Sequence, residues 1–453
     1  MDTSTWAPYR PDASAPWNLA RAWTLRRRAG FAATWRELER DVADGPGPAL
    51  ERVLSGECRI DGIPSGFVRT AELLGDAAAG ASDVRRLQAW WHYRALFTPD
   101  PLLERLTLMW HDHFATSQVK VDDVAAMHRQ NQTFRRLARG PFGELVREML
   151  RDPALLVYLD APMNRKGRPN ENLARELMEL FTLGAGRFSE ADVKGAARAL
   201  TGRSVIRGTF LLRPDDHDDG EKTILGKSAR FDGDSLADHL LAQTAASDRL
   251  AWRLCATFLG EGVADAAALA ELAHRLGSDR LHVGRGVETV LRSTLFFSAG
   301  NLQARISDPV GFVVGTVRAL ERFDPPPSTL LLAEWTGRLG QELFSPPNVG
   351  GWPGGRGWLS GRGVVARANF AAALSVGRLN ADATPPPLAE LAAREARAGE
   401  PLEAIRFFGE LLTGRRPDAA GALWQAAAEA GPGPDRHNRA VALLLARPEA
   451  QLV

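Results

Sequence analysis

The chain is poor in the features that mark several common protein classes. It has only two cysteines, Cys58 and Cys255, which lie far apart and fit neither a disulfide framework nor a zinc knuckle. No apolar run reaches the roughly 18 residues of a membrane span. The net charge is +1, which gives no overall attraction to nucleic acid or an acidic membrane. We therefore expect no nucleic-acid partner and no membrane span.

Signals for export and for familiar enzyme classes are also missing. Arg26–Arg28 superficially matches a twin-arginine signal, but helix-forming residues follow it and not a long apolar run, so we expect a cytoplasmic location. The sequence contains no P-loop, no Rossmann glycine fingerprint, no Gly-x-Ser-x-Gly elbow and no zincin His-Glu-x-x-His. A function has to be sought outside these classes.

Helical periodicity covers most of the sequence. Alternation of period two replaces it between Ser204 and Arg213, which predicts two paired strands that turn at Gly208. We therefore predict a mainly α fold with a multi-helical, bundle-like core and a small β insertion near 203–232.

Proline- and glycine-rich connectors divide the sequence into five predicted segments. These are a Trp-rich helical arm (1–45), a helical core with the expected site (46–202), a small β region (203–235), a second helical half with a Gly/Pro/Trp loop (236–380) and a C-terminal helical appendage (381–453).

One predicted helix, Asn170–Gly184, carries an unusual set of polar residues. Asn170 is a good N-cap, and Gly184 is a natural C-terminal stop. The polar residues form either a structural salt-bridge lattice or one wall of a site, in which the arginine holds an anion and the carboxylates exchange protons. On spacing alone, the lattice is favoured. The polar residues that gather on one side of this predicted helix are Asn172, Arg175, Glu176 and Glu179, and Glu171 lies one turn before Arg175.

A second stretch, Trp110–Phe114, contains two histidines. His111 and His113 can point the same way only if the helix ends or unwinds between them. With Glu176, they are the predicted ligands of a divalent metal ion. The alternative is that both rings hydrogen-bond to backbone or carboxylate groups inside a helix junction.

Two later stretches add further candidates. His217 lies in an acidic turn that could hold a cation or be merely solvated, and the loop Ser345–Trp358 could pack or offer a stacking surface to a sugar or aromatic ligand. The predicted substrate-binding residues are Asn170, Asn172, Lys222, Gln341, Trp352, Trp358 and Arg367.

Several of these stretches occur together in a known order: Trp110–Phe114, Asn170–Gly184, Ala197–Gly202, His217–Gly226 and Gly340–Gly354. In that order they resemble the bacterial family catalogued as domain of unknown function 1800. Two positions depart from the family pattern. Arg203 stands where the family more often has an aromatic residue, and Ala32 stands where glycine is common.

The resemblance implies a fold more readily than a function, because the family is uncharacterised. Its genes often lie beside those of a second family that resembles sulfatases and alkaline phosphatases, which implies a partner protein of that kind. Four stretches of the resemblance carry polar residues, and one shared pocket explains them most easily. These are His111 with His113, Asn170–Glu179, His217–Lys222 and Gln341–Trp358.

We therefore predict an enzyme that catalyses hydrolysis or group transfer on an anionic or sugar-type substrate. The alternatives are a non-catalytic helical binding or maturation partner of another protein, and a carbohydrate-binding protein. The predicted catalytic residues are Glu171, Arg175, Glu176, Glu179, His111, His113 and His217.

Overall fold

The computed structural model describes residues 5–56, 66–321, 326–380, 382–395, 401–429 and 435–453. Cys58 lies outside these residues, and Cys255 is a buried free thiol. The described part of the chain is mainly α, with 23 α-helices and two antiparallel hairpins, as predicted. None of the helices described is long and apolar enough to cross a membrane.

The first ten helices include those that position the Trp110–Phe114 stretch. Asp83 caps α5, which ends just before Thr98-Pro99, and Asp100 caps α6 with Pro101 at its first position. The ten helices are α1 (Leu19–Arg28), α2 (Trp35–Asp44), α3 (Pro46–Ser55), α4 (Phe67–Gly80), α5 (Val84–Phe97), α6 (Pro101–His113), α7 (Gln118–Val121), α8 (Val124–Leu137), α9 (Phe142–Met149) and α10 (Pro153–Tyr158).

The middle of the chain contains the β insertion. Arg207 and Gly208 turn the first hairpin with φ values of 50° and 69°, which confirms the predicted turn. A second hairpin, absent from the prediction, turns at Leu225 and Gly226. The elements here are α11 (Asn172–Glu176), a π-helical segment (Leu177–Thr182), α12 (Glu190–Ala199), β1 (Arg203–Ile206), β2 (Thr209–Leu212), β3 (Lys222–Ile224) and β4 (Lys227–Ala229).

The rest of the described chain is helical. Asp308 caps α17, which begins directly after it with Pro309. The remaining helices are α13 (Gly233–Leu241), α14 (Thr244–Phe258), α15 (Ala266–Ser278), α16 (Val283–Arg292), α17 (Pro309–Ala319), α18 (Thr329–Arg338), α19 (Gly361–Ser375), α20 (Leu388–Glu395), α21 (Pro401–Thr413), α22 (Ala420–Glu429) and α23 (Arg436–Leu445).

Both ends of the described chain pack into the body of the protein. The Trp6 indole donates to the Ala268 carbonyl at 2.9 Å, and the Trp23 indole donates to the Leu411 carbonyl at 3.0 Å. Helices α21 and α23 share one hydrophobic cluster with α5 and α17. The region predicted as a C-terminal appendage thus contributes to a core that it shares with N-terminal helices.

Candidate functional site

The polar helix is shorter than predicted and changes pitch. Helix α11 ends at Glu176, and a π-helical segment continues from Leu177 to Thr182. The Asn170 side chain accepts from the Asn172 N–H at 3.0 Å, and the Thr182 hydroxyl donates to the Leu177 carbonyl at 2.6 Å. Gly184, at φ 91°, ends the segment as expected.

His113 closes the C-terminal end of this segment. The last carbonyls of a helix lack partners within it and need donors from elsewhere. His113 Nε2 donates to the Phe181 carbonyl at 3.0 Å, and Arg249 Nε donates to the Leu180 carbonyl at 3.0 Å. Burial, together with the charges of Arg253 and Arg249, holds the pKa of His113 well below its ordinary value. His113 is therefore a neutral structural residue.

His111 points into a different part of the core. Its Nε2 accepts from the Phe344 N–H at 3.2 Å, and its ring centroid lies 5.3 Å from Trp91 and 5.5 Å from Trp352. Burial lowers the pKa of His111 to about 3, so the ring is neutral. Both histidine rings therefore hydrogen-bond to backbone groups inside the fold, as the alternative to metal binding predicted.

The predicted metal triad of His111, His113 and Glu176 does not form. Helix α6 continues through His113, so side chains two residues apart diverge. Within the described ranges, no three His, Cys, Asp or Glu side chains are placed to hold a metal ion.

The polar residues of α11 do not converge on those histidines either. Arg175 donates to both oxygens of Glu190 at 2.8 Å and to Glu171 at 3.1 Å, which makes a surface lattice. Asn172 donates to Asp160 at 3.1 Å. The lattice interpretation therefore fits Arg175 and Glu171.

Glu176 and Glu179 stand apart from that lattice. Burial raises the pKa of Glu176, the charge of Glu179 raises it further, and Arg175 opposes the shift. Glu176 in turn contributes to the raised pKa of Tyr158, whose larger cause is burial. Tyr158, Glu176 and Glu179 thus form a half-buried cluster whose charges influence one another.

Three other predicted site residues are tied up within the fold. His217 Nδ1 is 3.0 Å from the Thr201 carbonyl. The buried Lys222 ammonium donates to the Asp218 and Phe231 carbonyls, and buried Arg367 donates to the Ser307 carbonyl at 2.7 Å. Lys222 and Arg367 are predicted substrate contacts, but in the structure they donate hydrogen bonds to backbone carbonyls of the protein. Asn170, another predicted contact and the predicted N-cap, lies one residue before the actual N-cap, Glu171, and accepts from the Asn172 N–H in a local turn.

A cleft of about 590 Å³ brings the remaining predicted residues together. It is bounded by α6, α14, the segment before α17 and the Gly/Pro/Trp loop. Gln341, Trp352 and Trp358 line it, as members of the predicted substrate-binding set. The sequence interpretation missed the other charged and aromatic residues of its lining: Arg105, Asp112, Trp252, Arg253, Glu261, Arg305 and Asp308.

The acidic residue of the Trp110–Phe114 stretch, and not its histidines, faces this cleft. Asp112 accepts from the Trp352 N–H at 2.8 Å and from Arg253 at 2.6 Å. Arg105 and Met109 also line the cleft and precede Asp112 at spacings of seven and three. That helical stripe is the signal from which the sequence could have revealed Asp112.

Arg305 has the least complete set of contacts among the cleft arginines. Arg105 donates to Asp308 at 2.7 Å, whereas Arg305 reaches the same carboxylate only at 3.7 Å. No described residue accepts a hydrogen bond from the Arg305 guanidinium. Burial lowers the pKa of Arg305 to about 10; Asp308 opposes this shift, while Arg105 and Arg253 add to it.

Gln341 presents a second donor without an acceptor. Its side-chain oxygen accepts from the Val310 N–H at 3.0 Å, at the start of α17. Its amide nitrogen has no acceptor in the part of the chain that the structure describes. Gln341 is buried and lines the cleft, as Arg305 does, and both side chains have donors without an acceptor among the described residues.

Comparison with known proteins gives one match. The family described as "Protein of unknown function (DUF1800)" matches residues 24–452. No curated protein and no solved structure matches the chain.

Proposed function

The chain belongs to the DUF1800 family, and from the geometry of the cleft we propose that it binds a ligand through an acidic group held by Arg305 and Gln341. The observation that carries this proposal is the state of Arg305. Its guanidinium lines the cleft with a side-chain exposure of 17%, and its closest carboxylate is 3.7 Å away.

A ligand anion would supply the missing hydrogen-bond acceptors for the Arg305 guanidinium and the Gln341 amide. A desolvated cation without hydrogen bonds is costly, and a guanidinium binds phosphate, sulfate or carboxylate through two parallel hydrogen bonds. The Gln341 amide would supply another donor to the same group. The volume of about 590 Å³ lies within the range usual for small-molecule sites.

The state of the other cleft residues favours binding over chemistry at this place. Asp112 and Asp308 are already engaged by arginines and backbone N–H groups. Burial raises the pKa of the Cys255 thiol to about 12, so the thiol stays protonated and is a poor nucleophile. The cleft thus fits a non-catalytic binding protein better than the predicted hydrolase or transferase.

The test is titration calorimetry and thermal unfolding with inorganic phosphate and with sulfate. We expect saturable binding of at least one anion, with a higher Tm, and loss of both effects in Arg305→Gln. Arg86→Gln is the matched control, because it removes the same charge from a side chain that is 62% exposed and does not line the cleft. Equal behaviour of the two variants would overturn the proposal.

A variant that introduces a negative charge tests the same site without removing an arginine. Gln341→Glu keeps an oxygen for the Val310 N–H and replaces the free amide donor by an acceptor. We expect it to weaken anion binding strongly while Tm without ligand changes little. Undiminished phosphate or sulfate binding in this variant would count against the role of Gln341.

The Glu176 cluster favours a second candidate function, hydrolysis or group transfer with Glu176 as a general acid. A carboxyl whose pKa is raised by burial and by a neighbouring carboxylate is suited to donate a proton near neutral pH. The test is hydrolysis of p-nitrophenyl phosphate, sulfate and glycosides. Under this candidate, Glu176→Gln abolishes activity without lowering Tm; an inactive wild type or a fully active variant refutes it.

The implied sulfatase- or phosphatase-like partner fits the same chemistry, since such proteins act on the anions that Arg305 would hold. We propose this association as a further property of the protein, in the expected cytoplasmic location. Co-expression with the product of a neighbouring sulfatase-like gene, followed by affinity purification, tests it. Failure to co-purify would argue against a stable complex.

A further inference from the structure

We propose that the ligand of the cleft is an acidic sugar, with its acidic group inward and an uncharged hydroxylated ring at the mouth. This inference rests on the proposed function, because it assumes the anion contact at Arg305. It adds the ring, the orientation of the ligand and the limit of one acidic group. Its basis is the distribution of charge and exposure along the cleft.

The cations lie deep and the other groups lie outward. The side chains of Arg105, Arg253 and Arg305 are 4%, 13% and 17% exposed. In contrast, the Glu261 side chain is 59% exposed and Trp252 is 44% exposed. A ligand therefore meets an aromatic ring and a carboxylate first, and guanidinium groups further in.

Trp252 offers a surface for the ring of a sugar. The guanidinium of Arg249 lies 4.6 Å from the Trp252 ring centroid and is fixed by its hydrogen bond to the Leu180 carbonyl. Arg249 thus covers one face of the indole, and Trp252 lines the cleft. Trp352 and Trp358 are each only 6% exposed, so they serve as walls of the cleft. The sequence had pointed to those two tryptophans for stacking.

Glu261 limits the charge of whatever lies at the mouth. Its only ion pair among the described residues is a long one, 3.7 Å to the exposed Arg356. Gly355, at φ 44°, lies against the Glu261 carboxylate. A carboxylate in this place accepts hydrogen bonds from hydroxyl groups and repels a second acidic group. The outer half of the ligand should therefore be hydroxylated and uncharged.

The experiment compares probes by titration calorimetry on the full chain. The probes are inorganic phosphate, glucose, glucose 6-phosphate, glucose 6-sulfate, glucuronate and fructose 1,6-bisphosphate. We expect at least one singly acidic sugar to bind about tenfold more tightly than its free anion, since a stacked ring adds to the anion contact. We also expect it to bind more tightly than the bisphosphate.

Two tryptophan variants locate the ring. Trp252→Ala should reduce the affinity of the acidic sugar to that of the free anion. Trp424→Ala is the matched control, since Trp424 also has an arginine over its ring, Arg436 at 4.1 Å, but does not line the cleft. We expect no change in affinity from this control.

The outcomes separate the two proposals. Equal affinities for phosphate and all acidic sugars, lost in Arg305→Gln, would overturn the acidic-sugar inference and leave the proposed function standing. Tighter binding of the bisphosphate would also overturn the inference. No anion binding at all would overturn the proposed function itself.

Discussion

A hydrogen bond of 2.8 Å joins Asp112 and Trp352: the backbone N–H of Trp352 donates to the Asp112 carboxylate. The second oxygen of Asp112 accepts from Arg253 on α14 at 2.6 Å. One carboxylate on α6 therefore connects a second helix and the Gly/Pro/Trp loop. We expect changes at Asp112 to affect the loop and the cleft together.

A double-mutant cycle at Asp112 and Arg253 tests this connection. Asp112→Ala should lower the free energy of unfolding by about 1–3 kcal/mol, because the Trp352 N–H and the Arg253 guanidinium both lose an acceptor. Asp112→Asn keeps an oxygen for Trp352 and should cost less. Urea unfolding of the single and double variants with Arg253→Gln measures the coupling. Additive effects would mean that the two residues are independent.

The buried histidines make stability depend on pH. Burial lowers the pKa of His92 to about 4 and that of His111 to about 3, and His113 is also well below its ordinary 6.5. The unfolded chain takes up these protons below about pH 6.5, while the folded chain does not. Each such proton costs about 1.4 kcal/mol per pH unit. Stability should therefore be full above pH 6.5 and fall as the pH drops toward 4.

One buried carboxyl opposes this trend. Burial raises the pKa of Asp152 to about 6, so between pH 6 and its ordinary 3.8 the folded state binds its proton more tightly. Three fully buried histidines against one fully buried carboxyl leave a net loss of about 3 kcal/mol per pH unit, and the lowered pKa of His128 and the raised pKa of Glu176 act in opposite directions. Urea unfolding at pH 7.5, 6.5 and 5.5 measures the slope. His111→Gln should reduce it by about one proton, and an unchanged slope would contradict the assignment.

Much of the fold could be predicted because its signals are local. Asp83 and Thr98-Pro99 frame α5, Ser189 and Asp192 form a capping box, and Gly208 turns the first hairpin. The second hairpin has strands of three residues, too short for alternation to show.

The candidate site was harder to predict, because tertiary packing determines it. A metal-binding histidine and a buried structural histidine look the same in a sequence. The side chains of His111 and His113 point in different directions only because α6 continues through both residues. Arg253 and Arg305 are ordinary arginines in the sequence. Their role follows from the side chains that surround them in the cleft.

Two substitutions on α11 separate the surface lattice from the Glu176 cluster. Arg175→Ala should lower the free energy of unfolding by no more than about 1 kcal/mol, since its side chain is 34% exposed and such pairs contribute little. Glu176→Gln should raise stability slightly at pH 7, because it removes the repulsion from Glu179. Thermal unfolding checks both, and marked destabilisation by Glu176→Gln would show that its charge supports the fold.

Two neighbouring glycines give the sharpest test of how the loop meets the cleft. Gly351 has φ 86°, and a side chain there would collide with the carboxylate and the carbonyl of Asp112. Gly350 lacks a positive φ, and a side chain there would meet only the Asn348 amide oxygen, at 3.1 Å. Gly351→Ala should therefore lower the free energy of unfolding by more than about 1 kcal/mol, and Gly350→Ala by much less.

The same pair shows whether loop and ligand site act together. Displacement of the loop by Gly351→Ala moves the backbone N–H of Trp352 away from Asp112 and shifts Trp352, which is a wall of the cleft. Anion affinity, measured with phosphate and sulfate, should therefore fall in Gly351→Ala and stay near the wild-type value in Gly350→Ala. A destabilised Gly351→Ala protein with wild-type anion affinity would show that the loop is not part of the binding site, even though Trp352 lines the cleft.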